Sequence, residues 1–249
     1  MRVGFSINGQ GRGHLTRVLA LAERLVEISG GTDIPFRGDG LSFTVAEIEP
    51  VFWCPEKYHD EIRAVFPGAE IYSIPYYRII LEGHRIDLVK TGKCNAEHIS
   101  RLTAYTSEIA DQVRLSRITV MVSDFEPFAA RGARASGVGV VQLNHPGIVL
   151  KSPSLLPDAI IAKVISLAMM GEYDTRIISS FYHGDVGPII RRDLRNIETS
   201  RGDYYLVYLH ESMKEEVVAL MKRSSPLPFS VFPDPERDFI AHLAGCRGV

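Results

Sequence analysis

Cysteine is scarce in this sequence, with Cys54, Cys94 and Cys246 the three in 249 residues. Three widely spaced thiols cannot build a disulfide framework, and this pattern is typical of a protein in a reducing compartment. Long apolar runs are also absent, since no stretch reaches the about 18 consecutive apolar residues of a membrane-spanning helix. We therefore predict a cytoplasmic protein without a transmembrane segment, and leave open a peripheral contact with the inner membrane surface.

The sequence also lacks an excess of charge of either sign. Its 28 Lys and Arg residues and 30 Asp and Glu residues leave a formal net charge of −2. A balanced surface has no general attraction for nucleic acid, so we predict no nucleic-acid partner. A metal site is not indicated either, because Cys94 and His98 supply two ligands where a zinc site needs about four.

What the sequence does contain is an alternation of strand-like and helix-like segments. The first strand, 3–7, precedes a helix in which Leu15, Val18, Leu19, Ala22, Leu25 and Val26 recur at spacings of three and four. Further strands are predicted at 51–54, 71–74, 118–122 and 138–143, with a loop over 76–94. Further helices are predicted at 55–65, 99–113 and 155–170, and an alanine-rich helix is entered through Pro127. This order predicts an α/β fold, a Rossmann-like doubly wound parallel sheet with helices on both faces.

The pattern breaks after residue 183 and then restarts. We predict a first domain over 1–183, an interdomain linker over 184–202 and the start of a second domain over 203–249. In this last segment we expect strands at 204–209 and 229–232, a helix after the capping pair Ser212 and Glu215, and another helix over 235–243. About 47 residues follow the linker, near the lower limit for an independent domain. We expect the second domain to be incomplete, with the natural protein continuing past Val249 or this segment packing on the first domain.

A glycine-rich turn, Gly9-Gln10-Gly11-Arg12-Gly13-His14, joins the first strand to the first helix. It is not a Rossmann fingerprint, because His14 stands where the third glycine belongs, and no Gly-Lys-Ser/Thr of a P-loop follows. Free amides at a helix start attract anions, and Arg12 and Arg17 add positive charge. We predict that Gly11, Arg12, Gly13 and Arg17 bind a phosphate- or hydroxyl-bearing ligand. The alternative is a turn kept only for tight packing of strand and helix.

Two carboxylates follow the strand at 118–122. Asp124 and Glu126 are expected on the same rim as His14, because the carboxyl ends of parallel strands share one edge of the sheet. An Asp beside a His can fix its tautomer, and such a His can take a proton from a hydroxyl. The alternatives are that Asp124 caps the next helix and that Glu126 only complements its dipole. Asn144 and His145 close the next strand on the same rim, where His145 is either a site residue or a loop histidine.

Taken in order, three segments resemble the N-terminal domain of the two-domain GT-B glycosyltransferases. They are the turn at 9–14, Ser123-Asp124-Phe125-Glu126-Pro127, and Gln142-Leu143-Asn144-His145. The similarity is to a microbial group related to the undecaprenyl-diphosphomuramoylpentapeptide N-acetylglucosaminyltransferase and to the UDP-glycosyltransferases. Gly187-Pro188 and the strand at 204–209 are similar to that group's linker and first C-terminal strand.

The resemblance implies transfer of a sugar from a nucleotide diphosphate donor to an acceptor hydroxyl, with inversion and without a metal or other cofactor. It implies His14 as the catalytic base and Asp124 as its orienting partner, with an acceptor that is either soluble or lipid-linked. Among donor-side residues it points to His210; the rest of the donor segment is expected beyond Val249, so the chain as given is expected to be inactive if it is truncated. Two alternatives stay open: a sugar-nucleotide epimerase on the same fold, and a non-catalytic nucleotide-sugar-binding fragment.

Overall fold

The structure is a computed structural model and describes residues 1–30, 33–35, 42–44, 46–82, 85–195, 197, 203–208, 214–224 and 228–232. The chain divides into two compact units, the first formed by 1–80 with 87–195 and the second by 81–86 with 196–249. The domain boundaries expected at residues 183 and 202 stay predictions. Among the residues described, no helix combines the length and the apolar character needed to cross a membrane.

The regular elements alternate along the chain. The strands are β1 (Arg2–Ile7), β2 (Asp33–Pro35), β3 (Ser42–Thr44), β4 (Glu49–Cys54), β5 (Glu70–Ser73), β6 (Leu81–Glu82), β7 (Arg85–Ile86), β8 (Val120–Asp124), β9 (Gly139–Asn144), β10 (Thr175–Ile178), β11 (Tyr205–Tyr208) and β12 (Phe229–Phe232). The helices are α1 (Arg12–Ile28), α2 (His59–Val65), α3 (Leu88–Ser100), α4 (Leu102–Leu115), α5 (Pro127–Ala135), α6 (Pro157–Met170), α7 (Arg192–Arg195) and α8 (Lys214–Ser224). Short 3-10 helices cover Glu56–Tyr58 and Pro146–Lys151.

The first unit is built on a six-stranded sheet in the order β10-β9-β8-β1-β4-β5. All of its pairings are parallel. From β1 the chain adds β4 and β5 on one side, then returns to add β8, β9 and β10 on the other. This is the doubly wound order, and its switch point lies between β1 and β8. The predicted α/β class with a parallel sheet is confirmed.

The sheet has a hydrophobic core on each face. Along β4, Val51 and Trp53 contact a cluster that includes residues of α4 and α5, whereas Phe52 and Cys54 contact a cluster that includes residues of α1 and α2. This alternation follows from the two-residue period of a strand. Burial raises the pKa of the Cys54 thiol to about 12, so the thiol stays protonated in the core.

Two local expectations are wrong, and one strand has no counterpart in the sequence prediction. The single helix expected at 99–113 is two helices, because the chain leaves helical geometry at Arg101 (φ −98°, ψ 7°) between α3 and α4. The loop expected over 76–94 ends earlier, since α3 starts at Leu88 and the Asp87 side chain caps it by accepting a hydrogen bond from the Lys90 amide at 2.8 Å. Strand β10, which extends the sheet beyond β9, was not anticipated.

In the second unit, β11 and β12 pair in parallel with Tyr205 opposite Phe229, and α8 lies between them in the sequence. This agrees with the strand–helix–strand order expected there. The capping Ser212 and the helix expected at 235–243 lie outside the described residues.

Candidate active site

The glycine turn and the end of β8 meet because β1 and β8 are adjacent strands. Ile7, the last residue of β1, is in register with Asp124, the last residue of β8. The Asn8 side chain then joins the two loops: its amide donates to the Phe125 carbonyl at 2.6 Å, and its oxygen accepts from the Gln10 amide at 2.7 Å. The sheet topology therefore brings the first residues of α1 to the carboxyl end of β8.

The 3-10 helix at 56–58 holds the glycine turn through hydrogen bonds to the carbonyls of the turn. Lys57 Nζ donates to the Gly9 carbonyl at 2.6 Å, and the Tyr58 hydroxyl lies 3.2 Å from that carbonyl and 3.0 Å from the Gly11 carbonyl. Burial raises the pKa of Tyr58, which keeps its hydroxyl protonated as a donor. Gly11 has φ +93°, a conformation that favours glycine, and is the N-cap of α1 without a side-chain cap. The turn thus holds a fixed shape while the first amides of α1 have no side-chain partner at the cap.

Phe125 has φ +59°, which is uncommon for a bulky residue. Two contacts hold it there, since Phe125 donates its amide to Gln142 Oε1 at 3.3 Å and accepts from Asn8 at its carbonyl. Gln142 is fully buried and also donates to Ser123 Oγ at 2.9 Å. Strained backbone of this kind persists only where neighbouring contacts impose it, and it is common at active sites.

His14, Arg17 and Asp124 form the centre of the site. His14 Nδ1 lies 3.1 Å from Asp124 Oδ1. The Arg17 guanidinium holds the same carboxylate through Nε to Oδ2 at 2.8 Å and Nη2 to Oδ1 at 3.0 Å. The Asp124 side chain is 1% exposed, whereas His14 keeps 13% of its side chain exposed. Arg17 is 16% exposed. A ligand in the cleft can therefore reach the His14 imidazole and the Arg17 guanidinium, but not the Asp124 carboxylate.

The His14 ring is also fixed in its plane. It lies parallel to the Phe125 ring, with an interplanar angle of 7° and 6.1 Å between centroids. When Nδ1 carries the proton and donates to Asp124, the bare Nε2 on the other side of the ring is a proton acceptor. The arrangement can therefore remove a proton from a bound hydroxyl.

Glu126 occupies a different place from the rim expected of it. Its side chain is fully buried, and its two oxygens accept from the Phe128 and Ala129 amides at 2.7 Å each, which makes it the N-cap of α5. Desolvation raises its pKa to about 7 despite these two hydrogen bonds. A fully buried carboxylate cannot touch a ligand in the cleft, so substrate binding by Glu126 finds no support in its position.

The remaining predicted residues are spread around this centre. Asn144 is fully buried, and its side-chain oxygen accepts from the Gly147 amide at 2.8 Å. His145 is exposed after β9, with Nδ1 2.9 Å from the Ser179 carbonyl. Arg12 is exposed on α1 and pairs with Glu61 at 3.4 Å. His210 lies outside the described residues.

Sequence reasoning missed two residues that shape the site. Asn8 and Gln142 hold the two loops in place, yet neither is predicted as a site residue, although Gln142 lies in one of the three segments that carry the family resemblance. The signal that would find Asn8 is its position directly after a buried strand, where a polar side chain reaches the rim.

Comparison with models of known protein families shows which family the chain belongs to. Residues 56–242 match the model of the family described as glycosyl transferase family 1. The chain belongs to glycosyl transferase family 1. The comparison with curated protein sequences found no match to this chain.

Solved structures show the same fold as this glycosyl transferase family 1 chain. UGT2 of Phytolacca americana, complexed with UDP-2fluoro-glucose and pterostilbene, has a TM-score of 0.50 and 12% identity over 92% of this chain and 65% of its own. LpCGTa, in complex with UDP, has a TM-score of 0.51 and 13% identity over 92% of this chain and 64% of its own. MurG of Acinetobacter baumannii has a TM-score of 0.45 and 11% identity over 92% and 57%. The chain spans less than two thirds of the length of these structures. The matches to UGT2 and LpCGTa confirm the resemblance to the GT-B fold.

Proposed function

We propose that this chain contains the acceptor-side domain and the catalytic base of a glycosyltransferase that moves a sugar from a nucleotide diphosphate donor to an acceptor hydroxyl. The observation that carries the proposal is the 3.1 Å contact between His14 Nδ1 and the buried Asp124 carboxylate, on a rim formed by the switch point of the sheet. Membership of glycosyl transferase family 1 supports the reaction class.

The proposed step is a direct displacement. His14 Nε2 takes the proton of the acceptor hydroxyl while the oxygen attacks the anomeric carbon of the donor sugar. The bond from that carbon to the diphosphate breaks on the opposite face, so the configuration inverts and the nucleoside diphosphate leaves with the bonding electrons. Asp124 holds the ring in its orientation while the proton is transferred. The step as written needs no metal and no cofactor beyond the nucleotide-sugar co-substrate.

A UDP-hexose is the donor we propose, because UGT2 and LpCGTa, which share this fold, were solved with UDP-2fluoro-glucose and with UDP. A lipid-linked acceptor is supported by α6 and its N-cap residue Leu156, where Leu156, Ile160, Val164 and Leu167 are 69%, 46%, 60% and 49% exposed. These positions are spaced by four, four and three residues and therefore form one apolar stripe. With such an acceptor the protein would act from the cytoplasm at the inner membrane surface.

The test uses the natural full-length protein and measures release of nucleoside diphosphate from a panel of UDP- and GDP-sugars, with soluble and lipid-linked hydroxyl acceptors. NMR of the product reads the anomeric configuration. His14→Gln is expected to lower turnover by about 10²–10⁴, the usual contribution of a general base. His59→Gln is the matched control, because His59 contacts the Ser73 hydroxyl rather than the site. Wild-type turnover in His14→Gln removes His14 from the proposed role.

Two other outcomes would replace the proposal with a different function. Interconversion of donor sugars in the absence of any acceptor would identify an epimerase. Calorimetric binding of a nucleotide sugar with no turnover, under any acceptor, would identify a binding module.

A further inference from the structure

Arg17 has a defined place beside the base of the proposed reaction. It follows His14 by three residues on α1, so both side chains lie on the same helix face. Its guanidinium grips Asp124 with two charge-assisted hydrogen bonds, at 2.8 Å and 3.0 Å. Because only 16% of the Arg17 side chain and 1% of Asp124 are exposed, water screens this pair little.

Three atoms form a nearly equilateral triangle. Asp124 Oδ1 to Arg17 Nη2 is 3.0 Å, Asp124 Oδ1 to His14 Nδ1 is 3.1 Å, and Arg17 Nη2 to His14 Nδ1 is 3.2 Å. Arg17 is always a donor and the ionised Asp124 always an acceptor. A bare Nδ1 would accept from Arg17 Nη2 but would set its lone pair against Asp124 Oδ1, whereas a protonated Nδ1 donates to that oxygen in a charge-assisted hydrogen bond. Because Arg17 already donates to both oxygens of Asp124, the contact of the ring with the carboxylate favours the tautomer with the proton on Nδ1.

The charge of Arg17 acts on the second proton. Asp124 and Arg17 together are neutral, so the carboxylate that would stabilise an imidazolium is already compensated. A proton added at Nε2 would give a positive charge to a ring whose Nδ1 lies 3.2 Å from the guanidinium nitrogen Nη2, at a site with little water. We propose that Arg17 is a positioning residue that keeps the resting His14 ring neutral, with its proton on Nδ1, both by neutralising Asp124 and by placing its own positive charge beside the ring. The consequence for catalysis rests on the proposed function; the state of the ring does not.

Other charged groups around the turn are engaged elsewhere. Arg12 pairs with Glu61 at 3.4 Å, and Lys57 Nζ donates to the Gly9 carbonyl at 2.6 Å. His145, at the end of the neighbouring β9, directs Nδ1 at the Ser179 carbonyl. Arg17 and Asp124 are thus the charged side chains that contact the His14 ring among the described residues.

The experiment reads the ring directly and needs no substrate. The 249-residue chain is labelled with ¹⁵N-histidine, His14→Gln assigns the His14 signals, and long-range ¹H–¹⁵N spectra are recorded from pH 5 to pH 9. In the wild type we expect the neutral ring with a protonated Nδ1. Arg17→Met should convert the ring to imidazolium at a pH higher by about one unit or more, a tenfold change in proton affinity. Arg17→Lys keeps the charge and should stay within about half a unit of the wild type.

A second pair of variants decides the matter even where Arg17→Met fails to fold with an unpaired buried carboxylate. Asp124→Asn is compared with Asp124→Asn/Arg17→Met, in which no buried charge is left alone. Removal of Arg17 in this background should again raise the pH of the transition. An identical transition in the two variants, or a wild-type ring protonated on Nε2, would overturn the inference. Because neither reading depends on turnover, failure of the inference is separable from failure of the proposed glycosyl transfer.

Discussion

Gly9, Gly11 and Gly13 share one turn but satisfy different physical requirements. A methyl group on Gly9 would overlap the Tyr76 ring, which packs directly against its backbone. Gly11 needs no space, since nothing lies within 4 Å of its missing side chain, but it has φ +93°. Gly13 meets neither restriction and is the second residue of α1. The sequence alone presents the three as equivalent, because the Tyr76 contact of Gly9 and the positive φ of Gly11 appear only in the folded chain.

Alanine at two of these glycines should change stability in opposite directions. Gly9→Ala is expected to lower the free energy of unfolding by about 1–3 kcal/mol, because the ring of Tyr76 must move. Gly13→Ala should raise it by up to about 1 kcal/mol, since alanine favours the helix and meets open space. Urea denaturation of both variants beside the wild type measures this. Equal stability of the two variants would show that the Tyr76 contact is absent in solution.

At the residue scale, position in the topology is more informative than residue type. The proximity of His14 and Asp124 can be predicted, because both follow strands that flank the switch point. The grip of Arg17 on Asp124 is not predicted, although its three-residue spacing from His14 was available. A single arginine is compatible with ligand binding and with an internal ion pair, and only the geometry separates the two. The buried position of Glu126 was likewise out of reach, because burial depends on how α5 packs.

At the element scale, the start of α5 depends on a carboxylate in an apolar setting. Glu126 satisfies the Phe128 and Ala129 amides, and Pro127 supplies the fixed φ that suits a first helical position. The ionised form of Glu126 is destabilised in the folded state, because burial removes the water that would hydrate the carboxylate. The helix end that carries the Asp124 loop is therefore sensitive to pH.

The direction of this sensitivity follows from proton binding. The folded state holds the Glu126 proton up to about pH 7, whereas an unperturbed Glu releases it near 4.5. Between these values the folded state binds more protons, so the contribution of Glu126 to stability is complete below pH 4.5 and is lost as the pH rises through about 7. The total is on the order of 3 kcal/mol. Urea denaturation at pH 5 and pH 8 should show a smaller decline in Glu126→Gln than in the wild type.

A matched control separates this effect from the general pH response of the chain. Glu56 is exposed, so Glu56→Gln should keep the wild-type difference between pH 5 and pH 8. The comparison concerns the slope with pH rather than absolute stability, because the glutamine amide cannot accept from both helix amides. A Glu126→Gln variant with the wild-type decline would show that the carboxylate ionises normally.

Elements with strong periodicity were predictable, and short or edge elements were not. The apolar spacing of α1 and the β-branched run of β8 determine their type without tertiary help. No glycine or proline marks the interruption at Arg101, and the helical spacing of apolar residues continues through it. The sequence therefore predicts one continuous helix there. Strand β10 is four residues long and lies at the sheet edge, where it hydrogen-bonds to β9. A short edge strand needs few apolar residues, so its sequence pattern is weak.

At the scale of the whole molecule, the site follows from the position of β1. β1 pairs with β4 on one side and β8 on the other, and Val3, Phe5 and Ile7 on it are at most 2% exposed. Among the described strands, β5 and β10 each pair on one side only. In the described part of the second unit, β11 and β12 form a sheet of two strands, and two paired strands have marginal stability by themselves. His14, which follows β1, and Asp124, which ends β8, are thus attached to the two central strands of the larger sheet.

Hydrogen exchange should rank the strands by this position. We expect the slowest exchange in peptides covering β1 and β8, because these amides open only when the sheet as a whole unfolds. Peptides covering β5 and β10 should exchange faster through local opening of the edges, and β11 and β12 faster still. Mass-spectrometric exchange at fixed pH measures all of them in one experiment. Equal protection of edge and centre would mean that the sheet opens as one unit, and His14 and Asp124 would then separate at the same free energy as the edges. With the expected ranking, the two side chains keep their contact while the edges open, so the base remains assembled during the fluctuations that the sheet undergoes.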